Sequence, residues 1–123
     1  MTYALIDSGK NRKLERFGEY LVDRPCGHAV WEKYLSKEEW EEADARLVRE
    51  GDTHWKREAS VKETWEISID GVIMKISCTD FGHLGVFPEH ATLWPQLRTI
   101  ISDAVAKRKE PVNILNLFAY SGG

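Results

Sequence analysis

The sequence predicts an α+β fold. A small antiparallel β domain with helices is expected over residues 1–90, and over 91–123 one helix and the strand that opens an α/β layer. Two observations predict this. Up to residue 90, short runs alternate apolar and polar residues and are separated by tight-turn residues, as antiparallel strands are. Beyond residue 91, an amphipathic segment leads into a dense, β-branched apolar run, the pattern at the entry to a doubly buried strand.

The elements follow in order. T-Y-A-L-I-D, Thr2 to Asp7, is a short strand, and S-G-K-N, Ser8 to Asn11, is a turn in which Gly9 is free to adopt positive φ. Lys13 to Gly18 alternates as a half-buried strand, and Glu19 to Pro25 forms a third, closing an antiparallel meander. Ala29 to Tyr34 carries no clear period. Ser36 to Glu50 reads as a helix: Ser36 and Glu39 form a capping box, Trp40, Ala43 and Leu47 share one face, and Gly51 is placed to end it. The Glu38–Glu42 acidic run reads as its solvated face. Trp65, Ile67 and Ile69 alternate with polar residues, Asp70-Gly71 is a strong hairpin turn, and the chain returns through Met74, Ile76 and Cys78. Phe81 to His90 is a glycine-containing loop. Trp94 to Ala106 is an amphipathic helix stopped by K-R-K-E-P, and Val112 to Phe118 is the final strand.

Composition bounds the function classes. A chain of 123 residues builds one core without staples, and its net charge of -3 argues against a dedicated nucleic-acid binder while leaving room for a local basic patch. The basic hairpin residues Lys10, Arg12, Lys13 and Arg16 are the candidate phosphate contacts; interleaved acidic residues make a solubilising surface the competing reading. Five Trp predict several half-buried indoles with their N–H groups satisfied at loop edges. Cys26 and Cys78 make no disulfide framework, and the start of the chain has no signal-peptide pattern, so a cytoplasmic location is expected, with no membrane span. His28, His54, His83 and His90 lack metal-ligand spacing, and no metal is expected. No catalytic triad or paired-carboxylate spacing stands out, so no catalytic residue is assigned.

The tail carries the most specific signal. An apolar run entering a glycine turn lets backbone N–H groups approach a ligand closely. N-L-F-A-Y-S-G-G, Asn116 to Gly123, resembles the first cofactor motif of class I S-adenosylmethionine (SAM)-dependent methyltransferases. In one branch, which includes the large-subunit ribosomal-RNA cytosine-5 methyltransferases and their bacterial relatives, that motif reads approximately N-L-F-x-Y-[ST]-G. L-I-D-S-G-x-x-R-K-L-E-R-F-G, Leu5 to Gly18, resembles the start of the small N-terminal β domain of those relatives. F-G-H-L-G-V-F-P-E-H, Phe81 to His90, resembles their loop before the first Rossmann strand.

The resemblance implies a Rossmann-like methyltransferase sheet begun at residue 91 and SAM as cofactor of the complete enzyme. Phe118, Tyr120, Ser121 and Gly122 would form part of the cofactor wall, joined by His90, with RNA as the candidate substrate. The nucleophilic cysteine of the cytosine-5 enzymes belongs to a later motif, and neither Cys26 nor Cys78 takes its place. The expectation is therefore an N-terminal portion, cut within the cofactor motif and inactive alone. The open edges of Val112–Phe118 are expected to drive self-association. Two alternatives stay open: a self-contained RNA- or protein-binding module, and one half of a split enzyme.

Overall fold

The structure, a computed structural model, describes residues 2–122; Met1 and Gly123, the last residue of the tail motif, lie outside the described residues. A five-stranded sheet has the order β1-β2-β3-β4-β5, built from β1 (Tyr3–Gly9), β2 (Arg12–Phe17), β3 (Tyr20–Pro25), β4 (Ala45–Val48) and β5 (His54–Arg57). A separate hairpin pairs β6 (Thr64–Ile69) with β7 (Val72–Ser77). Helix α1 (Lys37–Glu41) precedes β4. A 3-10 turn (Pro88–Leu93) leads into α2 (Trp94–Arg108). This is the expected α+β class.

The meander forms as the alternation predicts. β1, β2 and β3 pair antiparallel in sequence order. Gly9 takes the expected positive φ (157°), and so do Lys10 (48°) and Asn11 (59°). Gly9 is required for a second reason: a Cβ there would stand 2.6 Å from the Lys33 backbone nitrogen, so the 32–33 main chain packs directly on it. The β6–β7 turn is the expected Asp-Gly, with φ of 47° and 78° at Asp70 and Gly71, the signs of a type I′ turn.

The helix expected from Ser36 to Glu50 is corrected. The capping box at Ser36 and Glu39 is present, and Trp40 is buried, but the helix stops after Glu41. Ala45–Val48 is instead a strand, parallel to β3 (Val22↔Ala45, Asp23↔Arg46) and antiparallel to β5. A-R-L-V alternates buried and half-buried residues, and the sheet satisfies its backbone on both edges. Helix propensity loses to that long-range pairing. Gly51 sits in the following loop rather than at a helix end.

The period of two sorts side chains onto two layers. On one face Leu14, Leu21 and Trp40 form a small cluster under α1. On the other, Phe17, Val22 and Ala45 pack against Trp65, Ile67 and Ile76 of the hairpin and against Leu84 and Val86 of the following loop. Trp65 donates its N–H to the Phe17 carbonyl at 3.0 Å, Trp55 to Thr79 O at 2.7 Å, and Trp40 to the Asp7 carboxylate at 2.9 Å. Indoles thus bury their area without orphaning a donor. Cys78 packs against the hairpin-side core, and burial pushes its thiol up to about 11.

The strand expected over Val112–Phe118 is also corrected. The segment follows α2 after the left-handed Lys109 cap but pairs with no strand among the described residues. A strand is fixed by its neighbours, and apolar β-branched residues without them remain irregular.

Candidate functional site

Two regions singled out in the sequence, the Phe81–His90 loop and the tail, meet in space. β7 feeds the loop, whose ladder-like bonds continue the hairpin: Ser77 N–H donates to Leu84 O at 3.0 Å. Leu84, Val86 and Pro88 point into the core, and the alternate residues His83, Phe87 and Glu89 point away from it. Arg24 fixes the loop's first turn by donating from Nη1 to Gly82 O at 3.2 Å. Gly82 has φ of 81°, and a Cβ there would stand 2.4 Å from Leu47 Cδ2, so the tight turn needs glycine.

The tail closes onto this loop. Ser121 donates its hydroxyl to Gly85 O at 2.5 Å. The Tyr120 ring stacks at a tilt on Phe87, with centroids 5.2 Å apart, and Phe87 in turn contacts His83 (5.3 Å) and His90 (5.6 Å). Phe118, Tyr120 and Gly122 all have positive φ, and Gly122 N–H bonds Ala119 O at 2.7 Å, so the tail is a succession of turns.

Between the start of α2 and the returning segment lies a half-open cleft of about 440 Å³. His90, Trp94, Leu97, Ile101, Asn116 and Gly122 are among its lining residues. That volume is in the range of small-molecule sites, and the lining is apolar with a few polar groups, as such sites are. A Cβ built on Gly122 meets nothing within 4 Å, so the main chain is open to close approach from the cleft.

Of the residues expected to contact cofactor, His90 and Gly122 line this cleft, while Tyr120 and Ser121 tie the tail to the loop. Phe118 projects fully into solvent. Trp94, Leu97, Ile101 and Asn116 were not singled out for the site. The α2 pattern marks an apolar face without saying what that face meets, and α2 buries no residue among those described.

The four hairpin cations separate. Arg12 turns toward α1's side of the sheet and bonds Asp23 Oδ1 at 2.6 Å and Leu47 O at 2.9 Å. Lys10 pairs with Glu32 at 2.9 Å on the exposed turn, and Arg16 is exposed. Lys13 lies on the hairpin side, 3.2 Å from Glu15 Oε1. Glu15 is fully buried and takes a bidentate pair from Arg24 (2.6 and 3.0 Å) and the Tyr3 hydroxyl at 3.0 Å. Burial, and then the charge of Glu15, raise the Tyr3 pKa.

A solved structure is similar to this chain. The crystal structure of the SAM-dependent methyltransferase from Agrobacterium tumefaciens superposes with a TM-score of 0.75 and 37% identity, over 80% of this chain. The chain is similar to a methyltransferase. It spans 32% of that protein's length. No protein-family model matches the chain, and no curated protein matches it. No helix among the described residues is long and apolar enough to cross a membrane.

Proposed function

We propose that this chain is the N-terminal part of a SAM-dependent methyltransferase acting on RNA, and that the His90–Gly122 cleft is part of its cofactor wall. The observation that carries the reading is the 37% identity with a SAM-dependent methyltransferase, coupled to the docking of the tail motif on the Phe81–His90 loop. SAM would supply an electrophilic methyl group. The chain's own contribution is to hold: Trp94, Leu97 and Ile101 offer an apolar wall, Gly122 opens the main chain, and His90 and Asn116 offer polar contacts. No residue here is assigned a proton transfer or a nucleophilic role, and the proposal is that this chain alone transfers no methyl group. RNA rests on the resemblance and, of the four hairpin cations, on Lys13, which lies on the hairpin side; Arg12 and Lys10 are taken up by Asp23 and Glu32. The cytosol is the proposed setting, in keeping with the free Cys26 and Cys78.

The exposed apolar residues Leu115, Leu117 and Phe118 make self-association through residues 112–118 part of the same proposal. The function is tested by incubating the product of the complete reading frame with methyl-labelled SAM and total RNA. Label in RNA, absent when this chain alone is used, is expected. Binding of RNA without any methyl transfer would instead favour a self-contained binding module.

A further inference from the structure

A second cavity, about 170 Å³, lies on the hairpin side of the sheet and has no place in the cofactor wall. Lys13, Arg24, Arg49, Phe81, His83 and Glu89 are among its lining residues. It shares Phe87 and His83 with the cluster that receives Tyr120, so it opens beside the tail turn.

Its charge is built rather than incidental. Arg24 is buried and held on three sides, by Glu15, by Gly82 O and by the Phe17 ring 5.2 Å from its guanidinium carbon. Lys13 shares the same Glu15 carboxylate, so one buried negative charge faces two cations. The Lys13 ammonium has three donors, and the Glu15 bond takes one. Arg49 has no carboxylate partner among the described residues, and its Nη2 lies 3.9 Å from where a Gly82 Cβ would stand. Glu89 is the opposing charge on the lining. Cationic donors therefore exceed what the protein's own carboxylates take up.

The rim is aromatic. The Phe81 ring, on the residue just before the tight Gly82 turn, is 82% exposed. An exposed ring beside unspent cationic donors is the pairing used to hold a base and its phosphate. The cavity equals about six waters at about 30 Å³ each, enough for a phosphate and the edge of its sugar, which leaves the base outside at the rim.

We infer that this cavity is a nucleotide subsite, in which Lys13 and Arg49 take a phosphate and Phe81 stacks on the attached base. Its setting, beside the cofactor wall, rests on the methyltransferase reading; its test does not. Arg24 is a positioning residue that holds the turn carrying Phe81.

The experiment is fluorescence anisotropy of a labelled single-stranded RNA with this chain at several salt concentrations. R49A is expected to weaken binding and lower the salt slope by about one. F81A should weaken it roughly tenfold with an unchanged slope. K37A, on the opposite face, is the control and should bind as the parent does. Displacement of the RNA by a mononucleotide at a similar concentration per site would assign the subsite to free nucleotides; displacement only by RNA would assign it to a strand. Equal binding by the parent, R49A and F81A, or no binding of RNA or nucleotide at low salt, overturns the inference. Phe81 and Arg49 are exposed, so both variants should keep the parent's circular dichroism, which separates lost binding from lost fold. SAM binding by the longer protein is unaffected by either result, so the two readings fail separately.

Discussion

A bulge decides which way Asp7 points. The β1–β2 register shifts between Leu5 and Asp7, and the extra residue turns Asp7 from the hairpin side to the α1 side. There it accepts from Trp40 Nε1 at 2.9 Å and from the backbone N–H groups of Leu35, Tyr34 and Ser8. Burial alone would raise its pKa; these donors outweigh it and hold the carboxyl below its ordinary 3.8. Because the folded value is the lower one, this stabilisation is complete above pH 3.8 and is lost as pH falls through the folded value. Asp7→Asn should flatten the acid limb of a stability-versus-pH curve, and Asp7→Ala should cost about 2 kcal/mol by orphaning its donors. Urea melts from pH 2 to 7 check both. Arg24→Met removes the strongest partner of a fully buried carboxylate and should cost about 3 kcal/mol, partly recovered by adding Glu15→Gln. Cys78, its thiol pushed up to about 11, should alkylate much more slowly at pH 8 in the folded chain than in urea.

At the scale of elements, legibility followed the range of the contacts involved. The Asp70-Gly71 hairpin and the Ser36 capping box are local chemistry and could be read directly. Ala45–Val48 could not: its spacing from Trp40 suits a helix, and its pairing with Val22 and Asp23 on a strand far upstream, and with β5 on its other edge, makes it a strand. The bulge at Ile6 leaves no trace in the alternation of T-Y-A-L-I-D. The candidate site was readable in part through the resemblance, which named both the loop and the tail. Spacing alone does not bring Ser121 onto Gly85, 36 residues away. Val112–Phe118 shows the converse, an apolar pattern with no ladder to enter. If that segment drives self-association, Leu115→Lys should shift the chain toward monomer at equal concentration, with no change in the melting of the β domain. Sedimentation velocity and a thermal melt read the two quantities.

For the whole molecule, one core unites the meander, the hairpin and the loop, and the loop in turn seats the tail. α2 and the tail expose Leu97, Ile100, Leu115 and Leu117 among others, and of these Leu97 and Leu115 line the cleft. Under the proposed function, such a surface is the one that further α/β layers would cover to complete a cofactor site; the similar methyltransferase is about two and a half times this length. The most direct measurement is calorimetric titration of SAM into the product of the complete reading frame, with Ser121→Ala alongside. One site is expected, with affinity weakened about fivefold in the variant because the tail loses a hydrogen bond of about 1 kcal/mol to Gly85. A complete product that takes up no SAM would contradict the assignment of the His90–Gly122 cleft to a methyltransferase cofactor.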